Sequence, residues 1–345
     1  MNEQWGNTTP REDIVTTFAA QVRGRTFAIT GTSQGGLGAT AAVALSRAGA
    51  AYIILIARNR SKSDSVIHEI KTISPVTKVT FITCALDNMD CVQSAATEIL
   101  ASKDIDKIDV LLNNAGIMAI PSYTTNKHGV EMTLAANHVG HFLLTNLILP
   151  KILATGSGAR IINHSSLGHK IGPFRFDDYN FSNGSDYDGW SAYGQSKTAN
   201  ILLTVELAKR LMPKGVQSFS CHPGSIYGTS LTAHLGEDDY CNGLVQAAVK
   251  NNGTEFVQAA APKTLSQGTS TMLMAALEPE LDSARGLSVS KCRVMSTVEI
   301  DGPGPFDGWG GNALLEPVYA YDFDDENARK FWAISEEPMG HKFAV

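Results

Sequence analysis

Short apolar runs alternate along this chain with longer stretches that carry apolar residues at helical spacing. Thr26–Thr30, Tyr52–Ala57, Lys78–Thr83, 109–112, 160–163 and Val216–Cys221 read as six strands. Tyr52–Ala57 is fully apolar and rich in β-branched residues, as a strand covered on both faces must be. Residues 11–22, 39–49, 91–102, 142–153 and 191–211 read as helices, the second closed by Gly49. Alternation of this kind predicts a doubly wound α/β fold, a parallel sheet with helices on both faces in a single domain. Residues 1–22 form an N-terminal extension and 23–345 the domain, which ends in a C-terminal tail. Three stretches leave the repeat. Residues 168–189 are a polar insertion dotted with aromatics, 225–262 have the make-up of a mobile lid over the substrate, and 301–312 are dense in glycine and proline.

In such sheets ligands bind beyond the carboxyl ends of the strands. The first strand runs into Thr30-Gly31-Thr32-Ser33-Gln34-Gly35-Gly36-Leu37-Gly38 and then a helix. Glycines let a pyrophosphate approach the backbone, and the helix start offers free N–H groups to it. A tight turn alone would also use glycines, but strand before and helix after favour a dinucleotide site. The second strand ends at Ala57-Arg58-Asn59-Arg60, with no acid to accept a ribose 2′-hydroxyl. Arg58 suits a 2′-phosphate instead, so the expected cofactor is NADP(H).

Tyr193 and Lys197 fall four residues apart on one helix face. An ammonium beside a phenol lowers its pKa and fits it for proton transfer near neutral pH. Ser166 ends the fifth strand, where a hydroxyl can bond a substrate oxygen. Surface packing and a simple turn would account for each feature separately.

Together with Asn113-Asn114-Ala115-Gly116 and His222-Pro223-Gly224, these pieces occur in the order found in short-chain dehydrogenases/reductases, which the chain resembles from about Arg25 to Cys292. Asn137-His138-Val139-Gly140-His141-Phe142 is similar to the branch that holds retinol dehydrogenases and WW-domain oxidoreductases. So is the long interval from Ser166 to Tyr193 with Phe176-Asp177-Asp178 inside it. Gly286-Leu287 and Phe331-Trp332-Ala333-Ile334-Ser335 resemble fungal members. The resemblance implies a Rossmann-type fold and a role for each matched residue. Tyr193 would be the general acid or base, Lys197 would tune it and bind the nicotinamide ribose, and Ser166, rather than Ser165, would polarise the substrate oxygen. Asn137 would hold a water that links Lys197 to solvent. Gly31, Ser33, Gly36, Leu37, Gly38, Arg58, Asn59, Leu86, Asn114, Ala115 and Gly116 would bind the cofactor, with Pro223, Gly224, Ile226 and Thr229 at its nicotinamide end. Two departures stand out. The glycine loop is one residue longer than the family's, and Ala85 takes the place of the acid that meets adenine, with Asp87 two residues on.

Composition narrows the partners. The chain of 345 residues has a net charge of −6, which disfavours nucleic acid and anionic membranes. Cys84, Cys91, Cys221, Cys241 and Cys292 show no paired spacing, so free thiols of a reducing compartment are expected, and no His/Cys/carboxylate cluster has metal-ligand spacing. The first ten residues lack an apolar core, and residues 142–154 are interrupted by Thr145, Asn146, Pro150 and Lys151, so a soluble, cytoplasmic chain is expected. His164, His169 and His222 lie near strand ends, where a structural role is the common one. Residues 167–190 and the lid should build the pocket, from Phe174, Phe176, Tyr179, Tyr187, Trp190, Tyr227 and Leu231. Arg175 is the only guanidinium among them, so a mid-sized, mostly apolar ketone or alcohol is expected, of the kind met in secondary metabolism. The alternatives are a non-redox isomerase, epimerase or cyclase templated by the same cofactor, and a cofactor sensor without turnover. Helices 191–211 and the one through 137–153 could pair two copies into a homodimer.

Overall fold

The computed structural model describes residues 5, 8–226, 228–252, 263–279, 281, 294–295 and 325–344. Gly286-Leu287, the stretch 301–312, Tyr227 and Cys292 lie outside them. The six expected strands are β1 Thr26–Thr30, β2 Tyr52–Ala57, β3 Lys78–Thr83, β4 Val110–Asn113, β5 Ala159–His164 and β6 Val216–Cys221. A two-residue strand, β7 Val294–Met295, joins them beside β6, and the order is β3-β2-β1-β4-β5-β6-β7 with every pair parallel. The order reverses between β1 and β4, so the segments leaving Thr30 and Asn113 part company and open a cleft there.

Strand periodicity divides the core. Ala28, Ile54, Ile56, Ile82, Leu111 and Ile161 face one layer, while Phe27, Ile29, Ile53, Leu55, Phe81 and Leu112 face the other. Both layers are apolar and buried, which explains why β2 has no polar position to spare. The first is covered by α5 Met89–Ala101, α7 Gly140–Leu153, α8 Gly189–Leu211 and the helix Asp325–Glu336. The second is covered by α1 Arg11–Thr17, α3 Leu37–Arg47, α4 Asp64–Ile73 and α10 Leu265–Leu277.

Several elements differ from the sequence reading. The helix expected over 11–22 breaks at Phe18, whose ψ of 26° leaves the helical region, and α2 Ala19–Val22 follows. Helix α8 starts two residues early because Asp188 caps it, accepting from the N–H groups of Trp190 and Ser191. Inside the lid, α9 Glu237–Asn252 is a four-turn helix that its polar composition hid. Upstream of α7 the chain makes one helical turn, α6 Met132–Leu134, and then a π-helical turn, Ala135–Val139. Gly140 N–H there reaches back five residues to Ala135 O.

Candidate functional site

The cofactor cleft begins at Thr30. Gly31 has φ 75°, and a Cβ there would lie 2.8 Å from Ala115 Cα; one at Gly38 would lie 2.6 Å from Gly31 O. Asn114 locks this contact by donating through Nδ2 to Thr30 O at 2.8 Å. The loop is thereby pressed flat on the end of β4, which only glycine permits. Gly36 precedes α3 without a side-chain cap, so the first N–H groups of that helix, from Leu37 and Gly38 on, are left for a ligand. Ser33 and Gln34 sit beside them, with Gln34 N–H bonded to Lys62 O at 2.8 Å. A cradle of backbone donors that no side chain caps among the described residues fits a pyrophosphate.

At the end of β2, Arg58 and Asn59 are exposed. Asn59 caps the following turn by accepting from Ser61 N–H at 3.0 Å, and Arg60 pairs with Asp64 at 3.5 Å. Arg58 makes no ion pair among the described residues. At the β3 end, Ala85 N–H points to Cys91 Sγ at 3.2 Å, and Leu86 is buried. A Cβ at Gly140 would overlap Leu86 O, which is why α7 needs glycine where it crosses this loop.

The structure separates the two serines. Ser165 is buried and donates to Lys197 O at 2.9 Å, so it is consumed in packing β5 on α8. Ser166 Oγ accepts from Gly168 N–H at 3.0 Å and stays partly exposed. Gly168 marks where Ser166 meets Tyr193. A Cβ on it would lie 2.7 Å from the tyrosine Cε1 and 3.4 Å from Ser166 Oγ. Lys197 Nζ stands 5.4 Å from the centre of the Tyr193 ring and donates to His164 O at 3.1 Å. Burial pushes the lysine down to about 8, with Cys221 acting weakly the other way. Gly116 closes the group, since a Cβ there would be 3.5 Å from Lys197 Nζ and 3.3 Å from Asn137 Oδ1. Asn137 is fully engaged through its side chain. It accepts from Ile117 N–H at 2.7 Å and donates to Ile117 O and Ser196 Oγ, each at 2.9 Å.

Across the cleft, Pro223, Gly224, Ile226 and Thr229 follow β6. Ile226 packs on Gly268 of α10 together with Leu37, which ties this loop to the start of α3. Thr229 is buried, and the side chain of Lys263 lies against Gly224. Lys263 and Gly268 carry no motif, and nothing in the sequence marks them.

Tyr193 is only 4% exposed and belongs to a small apolar cluster with Met118, Ala119, Ile171 and Ala247, flanked by Trp190, Leu231 and Leu235. Ala247 belongs to α9, and Gly243 lets that helix lie directly on the Trp190 indole. The expected aromatic lining is corrected here. Trp190 and Leu231 do reach Tyr193, but Phe174, Phe176 and Tyr179 pack into the main core, with Phe174 4.7 Å from Phe331. Tyr187 stacks edge-on with Tyr123 and Phe181 and donates to Ile120 O. Arg175 is held by Asp178 and Asp186, at 2.8 and 3.0 Å, over the Phe181 ring.

His138, His141, His164, His169 and His222 are buried. Desolvation, with Lys197 nearby, lowers His164 to about 3. His169 lies 2.6 Å from Ser166 O, and His222 Nδ1 accepts from Gly224 N–H. His138 meets Ser335 Oγ at 2.7 Å, and Phe331 and Trp332 bury beside Phe142, so the helix Asp325–Glu336 lies on the α7–α8 face. Among the described residues no cluster of three metal-ligating side chains occurs, and no helix is long and apolar enough to cross a membrane.

Comparison with known proteins agrees with this geometry. The family model described as short chain dehydrogenase matches residues 25–239. An oxidoreductase, fscI, of Fusarium equiseti is 34% identical over 65% of this chain and 96% of its own length. The short-chain dehydrogenase/reductase prx1 of Penicillium roqueforti is 32% identical over 91% and 84%. Mouse retinol dehydrogenase 11 is 33% identical over 81% and 82%. A crystal structure of an uncharacterized protein from Mycobacterium paratuberculosis aligns with a TM-score of 0.64 at 27% identity, covering 94% of this chain and 96% of that one.

Proposed function

This chain belongs to the short-chain dehydrogenase family, in its retinol dehydrogenase-like branch, and from that premise we propose that it is an NADP(H)-dependent oxidoreductase. It interconverts a ketone and a secondary alcohol on a mid-sized, mostly apolar molecule, an intermediate of secondary metabolism. The observation that carries this reading is the convergence of Ser166, Tyr193 and Lys197 beneath an apolar cover supplied by the lid.

A bound nicotinamide would supply or accept the hydride. Ser166 Oγ donates to the substrate oxygen and holds it beside Tyr193. The tyrosine hydroxyl gives its proton to that oxygen in reduction and takes it back in oxidation. Lys197, protonated at neutral pH, favours the phenolate by its charge and would donate to the ribose hydroxyls of a bound nicotinamide nucleotide. Asn114, Ala115 and Gly116 line the cleft, and Pro223, Gly224, Ile226 and Thr229 close its nicotinamide end. Arg58 supports the choice of phosphate, since an exposed guanidinium with no ion-pair partner among the described residues stands where an acid would select NAD. Met118, Ala119, Ile171, Ala247, Trp190 and Leu231 offer a substrate no charge, and closure of α9 over them excludes water. Likeness to fungal oxidoreductases supports the secondary-metabolite class.

A panel of ketones and alcohols of graded size, assayed with NADPH and NADP⁺ by nicotinamide absorbance, tests the reading. Best turnover on a bulky apolar member is expected, and best turnover on a small charged keto acid would overturn it. Product formed with no absorbance change would identify the non-redox chemistry instead.

A further inference from the structure

The segment Asn137 to His141 places a second buried imidazole close to the reacting groups. His141 is 1% exposed and projects from the first turn of α7 toward β1. Its Nδ1 lies 2.9 Å from Asn137 O, and its Nε2 lies 2.8 Å from Thr30 Oγ1. A carbonyl oxygen can only accept, so the proton sits on Nδ1. Burial lowers this histidine to about 4 despite the Asn137 bond, so the ring is neutral and Nε2 carries a lone pair. Thr30 must therefore donate to it. Its alternative acceptor, Leu112 O, is 3.4 Å away. With its one proton committed, Thr30 Oγ1 accepts from the backbone N–H groups of Asn114 at 2.9 Å and Ala115 at 3.0 Å. The relay thus runs in one direction, from Ala115 and Asn114 N–H through Thr30 and His141 to Asn137 O, with the Asn114 N–H shared with Leu112 O at 3.0 Å.

We propose that His141 is a positioning residue that fixes the π-helical turn carrying Asn137 to the end of β1, where the cofactor loop begins. The inference rests on the roles given above to Asn137 and the glycine loop. Asn137 O sits in a turn where the α-helical register is broken, and an imidazole N–H rather than a backbone group alone sets its direction. At the other end, Thr30 orders the two N–H groups that precede Gly116, on the wall shared by Lys197 and Asn137. One side chain thus couples the geometry of the proton-transfer centre to that of the phosphate loop.

Two substitutions cut the relay at different ends. In His141→Asn the amide nitrogen falls where Nδ1 was and keeps the bond to Asn137 O, while Thr30 loses its acceptor. In His141→Gln the amide oxygen falls near Nε2 and keeps Thr30, while Asn137 O loses its donor. Kd for NADPH, measured by its fluorescence on the full chain, and kcat are read for both. The Asn variant should raise Kd proportionally more than it lowers kcat. The Gln variant should lower kcat at least tenfold and raise Kd less. Equal effects that merely follow thermal stability would reduce His141 to packing and overturn the proposal. The tautomer gives a readout free of activity. Imidazole ¹⁵N shifts of the ligand-free chain should show a neutral ring protonated on Nδ1, and protonation on Nε2 or a charged ring would equally overturn it. Failure of the wild-type chain to bind NADPH or NADH would refute the functional reading, a result distinct from either outcome for the tautomer.

Discussion

Replacing Lys197 by methionine should make the protein more stable while abolishing turnover. The ammonium is buried, and among the described residues no carboxylate pairs with it; it donates to His164 O and lies beside the Tyr193 ring. Burial lowers its pKa from 10.5 to about 8, so keeping it charged at pH 7 costs the fold about 3 kcal/mol, at about 1.4 kcal/mol per tenfold. Methionine has similar length and fills the same space without charge. It forfeits the hydrogen bond to His164 O, worth about 1 kcal/mol, but that carbonyl keeps its bond from Asn200 at 2.8 Å. The net expectation is a gain of about 2 kcal/mol near pH 7. The sign with pH follows from a lysine whose folded value lies below its unfolded one. Below about pH 8 both states are protonated and wild type carries the whole penalty. Between about 8 and 10.5 the folded state sheds its proton first, and the penalty fades. The gap between variant and wild type should therefore shrink by about 2 kcal/mol from about pH 7 to about pH 9.5. Urea unfolding at the two pH values measures it, and common titrations cancel in the difference. A variant less stable than wild type near neutrality, or a gap that ignores pH, would refute the reasoning.

Tyr193→Phe should lower kcat by about 10²–10⁴-fold with NADPH affinity retained, as checked by initial rates and fluorescence titration. Arg58→Ala should weaken NADPH binding strongly and NADH binding little; equal losses for both would remove the 2′-phosphate contact. Light scattering at micromolar concentration tests the homodimer. With Phe331 and Trp332 seated beside Phe142, a dimer of the full chain would need another face, and one that forms only after removal of residues 325–345 would use the α7–α8 pair.

The strands, the glycine loop and the Ser166, Tyr193, Lys197 set were legible because their physics is local. A strand buried on both faces must be apolar throughout, a loop pressed on another backbone must be glycine, and Tyr193 and Lys197 share a helix face by spacing alone. The motif Asn137 to His141 was legible as a resemblance only. Its reasons are tertiary: Asn137 answers to Ile117 and Ser196, His138 to Ser335, Gly140 to Leu86 O, and His141 to Thr30. The same holds for the pocket. Composition could supply aromatics to residues 167–190 but not say which way they face, and the helix Asp325–Glu336 draws Phe174 into the core while α9 draws Trp190 to Tyr193. Hydrophobic patterning along a chain fixes whether a side chain is buried. Which neighbour it is buried against depends on contacts between segments far apart in sequence, and only the packed fold decides those.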